Sequence, residues 1–131
     1  MTFIPAAESP LGMMEFAFGD SPELADELLA LVLEGKKTAT CDEADSEEVF
    51  KVGKRQVVLN GKGDRACVIE TTAVERVKFT DVTAAHAARE GEGDLSLKFW
   101  RDVHIEYFTR TGAYEPDMLL DCITFKLVEV F

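Results

Sequence analysis

Residues 49–82 form a stretch of strand-type sequence that no helical pattern interrupts. Within it, RQVVL is followed by the turn NGKGD and then by ACVIETT, a pattern typical of a β-hairpin. The alternating segment AVERVKF predicts a third strand. Near the end of the chain, LLDCITFKLVEVF predicts a closing strand in which Ile123, Phe125 and Leu127 share one face. Because strands follow one another directly, the pattern argues against a parallel, doubly wound sheet built from βαβ units.

Helical patterns lie before and after this stretch, and capping signals mark their ends. The predicted helices are 22–34, 84–90 and 95–111, with N-caps at Ser21, Thr83 and Asp94 and terminal glycines at Gly35, Gly91 and Gly112. One helix, several strands, two helices and a last strand predict an α+β fold. We expect a small mixed barrel or curled sheet with helices at its ends.

Length and charge limit the classes of function. At 131 residues the chain can bury a real core, and no repeat or linker divides it, so residues 1–131 are interpreted as a single domain. The chain has 25 acidic against 14 basic residues, a formal net charge of −11. Such a surface repels polyanions at long range, which disfavours strong non-specific binding of nucleic acid. A local basic pocket for a small polar ligand remains compatible with it.

The cysteines and the apolar runs indicate the cellular setting. Cys41, Cys67 and Cys122 are widely spaced and form no CxxC or Cys/His zinc motif, so we expect free thiols in a reducing cytoplasm. The longest apolar run, Leu28–Leu33, is too short to cross a membrane. We therefore expect no membrane partner, no metal and no cofactor.

The segment GKKTAT begins at Gly35, where the first helix ends. It is not a phosphate-binding P-loop, because the glycine required five residues earlier is absent and the helix precedes the motif. In an extended segment Lys36, Thr38 and Thr40 share a face, whereas a turn after Thr38 brings Lys37 beside Thr40. The alternative is that both lysines only complement the helix C-terminus. Because Lys37 and Thr40 lie at a helix exit, we expect alanine variants there to shift stability by less than about 0.5 kcal/mol.

A second candidate cluster lies in HAAREGEGD. His86 and Glu90 are four residues apart and face the same side of a helix. With Glu92 and Asp94 they form either an acid–base group or a site for a hard cation. The alternative is a solvated acidic helix end, and this interpretation is preferred for Glu92.

The long helix carries the single tryptophan and a nearby histidine. Trp100 could stack on a nucleobase, and His104 could bind a ligand by a hydrogen bond. The alternative is that both belong to an apolar helix stripe, which contains Leu97, Trp100, Val103 or His104, and Tyr107 with Phe108. No Ser/His/Asp or Cys/His arrangement for nucleophilic catalysis is recognisable.

Three segments together resemble the ASCH domain: FGDSPELADELLALVLEGKKTATC, VGKRQVVLNGKGDRACVIETTAVERVKFTDV and AREGEGDLSLKFWRDVHIEYF. The resemblance extends from about Phe16 to Phe125 and includes the EGEGD…W…H…YF segment of the stand-alone bacterial branch. ASCH domains resemble the PUA fold. The resemblance therefore implies a PUA-like small mixed β-barrel with flanking helices, which agrees with the predicted element order.

For function, the resemblance implies RNA-related work. Some ASCH proteins hydrolyse the acetyl amide of N4-acetylcytidine, and others are described as ribonucleases or RNA-binding modules. The amidohydrolase pattern uses a lysine and a threonine of a KxxT segment with a glutamate from a later helix, which match Lys37, Thr40 and Glu90 here. The amidohydrolases are shorter and lack the segment GEGDLSLKFW. The resemblance therefore supports a similar pocket in this chain more strongly than it supports the same substrate.

In the resulting hypothesis, Lys37 is removed from water beneath the barrel rim and activates Thr40 or a water molecule, and Glu90 passes a proton to the leaving amine. The residues predicted to bind the ligand are Lys36, Thr38, Trp100 and His104. The expected partner is a nucleoside or single-stranded RNA. Two alternatives stay open. One is a ribonuclease in which Lys36 and Lys37 stabilise charge on the phosphate, and the other is a module that binds RNA or a ligand without turnover.

Overall fold

The computed structural model of the protein describes residues 3–8, 12–44 and 50–131. The strands are β1 (Phe3–Glu8), β2 (Met14–Phe18), β3 (Ala39–Glu43), β4 (Arg55–Leu59), β5 (Arg65–Lys78) and β6 (Leu119–Val130). The helices are α1 (Pro22–Leu33), α2 (Ala84–Glu90) and α3 (Leu97–Thr111), and a short 3-10 turn spans Phe79–Asp81. Residue 49, the predicted start of the strand-type stretch, lies outside the described ranges. None of the described helices is long and apolar enough to span a membrane.

The strands form one mixed sheet. In the described part of the chain it has six strands in the order β1-β2-β4-β5-β6-β3. Strands β2 and β4 pair in parallel, and the other neighbours are antiparallel. The predicted hairpin of RQVVL and ACVIETT is confirmed as β4 and β5. The α+β class is therefore confirmed, and the sheet is not doubly wound.

One strand prediction was wrong. ACVIETT and AVERVKF are not two strands but the two halves of β5. The register against β6 shifts between Thr71 and Ala73, so Thr72 is an extra residue on the β5 side. A bulge of this kind bends a strand without ending it. The loss of alternation at this point therefore marked a bulge and not a turn.

The helix boundaries follow the capping signals, with one correction. Gly91 and Gly112 end α2 and α3 in the left-handed conformation, as predicted. The N-cap of α3, however, is Ser96, whose hydroxyl oxygen accepts a hydrogen bond from the Phe99 backbone N–H at 3.0 Å, and not Asp94. Leu95 has a φ of 69°, so the chain reverses there and the helix can begin only after it.

Both faces of the sheet are covered by apolar side chains. The first core packs against α1 and includes Phe16, Phe18, Leu28, Ile69, Ile123 and Phe125. The second core packs against α2 and α3 and includes Cys41, Phe79, Ala87, Trp100, Phe108, Leu120 and Cys122. Strand β6 supplies both, with Ile123 in the first core and Cys122 in the second, as strand alternation requires. Strand β3, next to β6, therefore also lies between two covered faces.

Candidate functional site

The start of β3 is fixed against the end of α2 through backbone atoms. The Thr38 N–H donates to the Arg89 carbonyl at 2.8 Å. At the next turn Gly91 has a φ of 74°, and a Cβ there would collide with the Lys36 carbonyl oxygen and lie 3.0 Å from the Lys37 nitrogen. Only glycine allows so close an approach in this conformation. The contact places Lys37 beside the acidic residues that surround Gly91 in sequence.

Lys37 is buried, with 1% of its surface exposed. Its Nζ donates to the Ala39 carbonyl at 3.0 Å, to the Glu90 carbonyl at 3.3 Å and to Glu92 Oε2 at 2.9 Å. It also lies 3.8 Å from Glu90 Oε1 and 5.3 Å from the centre of the Phe18 ring. A buried ammonium group needs such compensation, and here two carboxylates provide it. The expectation that Lys37 is a tolerant residue at a helix exit was wrong.

Glu92 was also placed wrongly by the sequence. The preferred interpretation put it in a solvated helix end, but its side chain is 14% exposed and forms an ion pair with Lys37. Burial raises the pKa of the Glu92 carboxyl, yet the charge of Lys37 and the hydrogen bond from it contribute to a net pKa below the usual range. Glu92 is thus an ionised partner of Lys37.

Glu90 is the most enclosed of these groups, with no exposed surface. Its Oε2 accepts hydrogen bonds from His86 Nε2 and from Trp100 Nε1, both at 2.7 Å. Burial raises the pKa of this carboxyl, but the hydrogen bond from His86 and the charge of Lys37 help to hold the net pKa well below its usual range. Glu90 is therefore a carboxylate at neutral pH. It can accept a proton at once but can donate one only after it has accepted one.

Trp100 and His104 lie behind Glu90. Their rings stack at 4.1 Å between centres, and His104 Nδ1 donates to the Trp100 carbonyl at 2.7 Å. Burial lowers the pKa of His104 to about 4, so its ring is neutral at pH 7. The buried residues of α3 are Trp100, His104 and Phe108. Of the two alternatives for the apolar stripe, Val103 or His104, the buried residue is therefore His104. The structure places Trp100 where it orients Glu90; direct binding of a ligand by either ring stays a prediction.

The remaining predicted residues have different environments. Lys36 is exposed, with its Nζ 3.1 Å from Glu34 Oε2, and Thr38 is partly buried. Thr40 is fully buried, so the expectation of tolerance was wrong here too. It pairs with Ile123, while the next residue, Cys41, belongs to the second core. Strand alternation therefore directs Thr40 to the face of the first core.

The geometry thus joins Lys37 and Glu90 directly, across 53 residues of sequence. Lys37 contacts Phe18 of the first core as well as Glu90 beside the second core, so it lies between the two faces. The convergence of Thr40 with this pair stays a prediction. His86 was noticed in the sequence only as a neighbour of Glu90; its i, i+4 spacing was the signal for the hydrogen bond.

A cavity of about 190 Å³ lies between α2 and the strands β5 and β6. It is lined by side chains of α2 and of strands β5 and β6, among them Glu75, His86, Arg89 and Thr124. His86 lines this cavity and also binds the Glu90 carboxylate, so it connects the two. Cys41, Glu90 and His104 bring three potential metal-ligand atoms within 4.8 Å of one another.

Further along β3, Asp42 provides a test of how this strand is buried. Burial raises the pKa of Asp42 from 3.8 to about 6, and Asp121 lies opposite it across the strand pair. A raised pKa means that the folded protein binds this proton more tightly than the unfolded chain, so stability falls as pH rises from about 4 to about 6. We expect Asp42→Asn to raise the free energy of unfolding at pH 7 by at most about 3 kcal/mol and to flatten this fall, measured by urea denaturation between pH 4 and pH 7. The exposed Asp117→Asn is the control, and parallel pH curves for wild type and Asp42→Asn would contradict the expectation.

Comparison with known proteins shows to which family the chain belongs. The family model of the ASCH domain matches residues 14–129. The ASCH domain from Lactobacillus crispatus JV V101, a crystal structure, is 34% identical with a TM-score of 0.81, over 88% of this chain and 79% of that one. A protein from Enterococcus faecalis V583, assigned to the family model DUF984, is 33% identical with a TM-score of 0.77, over 87% of this chain and 75% of that one. The comparison with curated proteins gave no match. The chain therefore belongs to the ASCH domain family, and its mixed sheet with flanking helices is the PUA-like fold expected from the sequence.

Proposed function

We propose that this ASCH domain is an RNA-related hydrolase that cleaves the amide of a modified nucleoside of the N4-acetylcytidine type, with Lys37, Thr40 and Glu90 as the reacting groups. The observation that carries the proposal is the buried pair of Lys37 and Glu90, 3.8 Å apart and built from two distant segments. A purely structural core gains little from burying such a pair, because the cost of desolvation offsets the attraction. Strongly shifted carboxyl groups of this kind are more frequent at functional sites.

The chemistry follows from the ionisation of Glu90. As a carboxylate, it takes a proton from the nucleophile, which is the Thr40 hydroxyl or a water molecule, while the nucleophile attacks the amide carbon. The same proton then moves from Glu90 to the exocyclic nitrogen, so that the amine leaves neutral. Where water is the nucleophile, acetate is released directly. Where Thr40 is the nucleophile, a water molecule then gives a proton to Glu90 and attacks the acetyl ester, and Glu90 returns that proton to the Thr40 oxygen as acetate leaves. The Lys37 ammonium stabilises the negative charge on the carbonyl oxygen. Its longest hydrogen bond, 3.3 Å to the Glu90 carbonyl, is the one that a substrate oxygen would replace most easily.

The net charge of −11 favours a nucleoside over RNA as the substrate. Long-range repulsion does not weaken the binding of a neutral nucleoside, whereas it acts on every phosphate of an RNA strand. A ribonuclease would need cationic side chains along the strand.

The test is the identity of the product. The protein is incubated with N4-acetylcytidine and, separately, with a short unstructured RNA, and both reactions are analysed by mass spectrometry. We expect cytidine and acetate from the first and intact RNA from the second. Shortened RNA would instead support the ribonuclease. If calorimetry shows that the nucleoside binds but no product forms, the result would support a module that binds a ligand without turnover.

Lys36 separates the two substrate classes in a second way. Its side chain is exposed and pairs at 3.1 Å with the exposed Glu34, so it is available to phosphates, whereas the Lys37–Glu90 pair is buried. We expect Lys36→Ala to change kcat/KM for the nucleoside by less than about twofold, because such exposed substitutions seldom disturb a site. For RNA, the same change should weaken binding and lower the salt slope by about one. Fluorescence titrations at several salt concentrations measure this, and an equal loss with both ligands would contradict it.

A further inference from the structure

We propose that Cys41, Glu90 and His104 form a binding site for Zn²⁺. The three residues come from β3, α2 and α3, and all three are buried. Each offers one ligand atom, and these atoms lie within 4.8 Å of one another. The set was not visible as a sequence motif because its members are separated by 49 and 14 residues. Only the packing of both helices on the same edge of the sheet brings them together.

The hydrogen bonds around His104 are those of a metal-binding imidazole. The Trp100 carbonyl can only accept, so His104 Nδ1, at 2.7 Å from it, carries the proton. The lone pair is then on Nε2, the other ring nitrogen. Histidines that bind metals almost always donate their second nitrogen in this way, which fixes both the tautomer and the ring orientation.

Glu90 is prepared in a similar manner. Its Oε2 is held by two donors, His86 Nε2 and Trp100 Nε1, each at 2.7 Å. Carboxylates that bind metals are commonly oriented by such outer hydrogen bonds. Trp100 therefore supports two members of the set, His104 through its carbonyl and Glu90 through its indole N–H.

The charges also favour a cation. Lys37, Glu90 and Glu92 together contribute one positive and two negative charges to a buried region. When Zn²⁺ binds, the Cys41 S–H bond breaks, the proton leaves for solvent and the thiolate donates its electron pair to the metal without any oxidation. Zn²⁺ is then balanced by Cys41 and Glu90, and Lys37 is balanced by Glu92. The ion thus removes the excess negative charge.

The donor set selects the metal. Sulfur and imidazole nitrogen suit Zn²⁺, whereas Mg²⁺ and Ca²⁺ prefer oxygen ligands alone. Bonds of about 2.0–2.3 Å place tetrahedral ligands about 3.3–3.8 Å apart, so the side chains need to close by about 1 Å, with water in the fourth position. The inference rests on the donor set and not on the proposed hydrolysis. It predicts that bound Zn²⁺ inhibits that hydrolysis, because a Glu90 carboxylate bound to Zn²⁺ is not available as a base.

The test uses cobalt as a coloured substitute for zinc. The full-length protein is treated with a chelator, exchanged into metal-free buffer and titrated with Co²⁺ at pH 7.5. We expect a thiolate-to-cobalt absorption band, the visible bands of four-coordinate Co²⁺, and loss of both on addition of one equivalent of Zn²⁺. Zn²⁺ should also raise the melting temperature, because it binds the folded state.

The variants assign the ligands. Cys41→Ser should lose the thiolate band, and His104→Gln should bind Co²⁺ at least tenfold more weakly. Cys67→Ala is the matched control, because Cys67 is buried in the first core and should leave the spectrum unchanged. If circular dichroism shows that a variant fails to fold, the wild-type spectrum and the Zn²⁺-dependent melting temperature still show whether the protein binds the metal. A wild-type protein that is folded but gives neither signal would overturn the proposal, as would a thiolate band that depends on Cys67.

Discussion

Lys37→Met is expected to lower the free energy of unfolding by about 3–5 kcal/mol. Methionine keeps the apolar stem of the lysine in contact with Phe18 but removes the ammonium group that Glu90 and Glu92 share. Two carboxylates would then be left in a buried region without their cation. Part of the loss will be relieved by protonation of one carboxyl, so the deficit should be larger at pH 8 than at pH 5. Urea denaturation at the two pH values measures it.

Three further variants show whether the lost charge is the cause: Lys36→Met, Glu92→Gln, and Glu92→Gln combined with Lys37→Met. Lys36→Met, at the exposed neighbour, should change stability by less than about 0.5 kcal/mol. Adding Glu92→Gln to Lys37→Met should restore part of the loss, because one of the two unpaired carboxylates is then gone. A double variant that is simply the sum of the two single ones would show that Lys37 and Glu92 do not interact. Wild-type stability of Lys37→Met would contradict the expectation altogether.

Glu90→Gln is the sharper test of catalysis, because it removes the proton acceptor and keeps the shape. The amide oxygen of glutamine can still accept from Trp100, so the pocket should remain formed. On N4-acetylcytidine we expect kcat to fall by roughly 10²–10⁴, the usual contribution of general acid–base catalysis. KM should change little, since binding does not depend on the proton. Steady-state rates from chromatography of cytidine provide both constants.

The control for this variant is Glu115→Gln, an exposed glutamate in the turn before β6 that should keep the wild-type rate. Thermal unfolding of Glu90→Gln needs to be measured beside the rates, because a folding defect would lower kcat for the wrong reason. A folded Glu90→Gln protein with an unchanged kcat would remove the carboxylate from the mechanism. The binding of Zn²⁺ could still be tested on the wild-type protein.

Local signals were sufficient for the parts of the fold that local chemistry decides. Helix α2 begins after Thr83, because the Thr83 hydroxyl accepts a hydrogen bond from a free backbone N–H of the first turn. It ends at Gly91, because glycine tolerates the left-handed conformation. The same rules predicted the wrong N-cap, Asp94, for α3. The positive φ of Leu95 reverses the chain there, so the helix begins after it and Ser96 is the N-cap. At Thr72 the sequence shows only that alternation fails. Whether a bulge or a turn results depends on the partner strand.

The site was harder to predict, because burial is a property of the assembled molecule. Lys37, Thr40 and Glu92 all have polar side chains in segments that look exposed, and each is enclosed only when β3 meets the end of α2. The family resemblance grouped Lys37 with Glu90, and the structure brings their charged groups to 3.8 Å, while their catalytic roles stay a prediction. No spacing rule reaches across 53 residues, and the ionised state of Glu90 follows from donors on two different helices.

The backbone contact at Gly91 has a practical consequence for engineering. Because no side chain occupies the space between Gly91 and the Lys36–Lys37 backbone, any residue larger than glycine would act there as a wedge. A wedge alters the separation of the two segments while it leaves every charge of the Lys37–Glu90 pair in place. Substitutions at position 91 therefore change the separation of the two segments, and also strain the left-handed backbone there, without changing either charge. A series of progressively larger residues there would show how far apart an amine and a carboxylate can be and still work together.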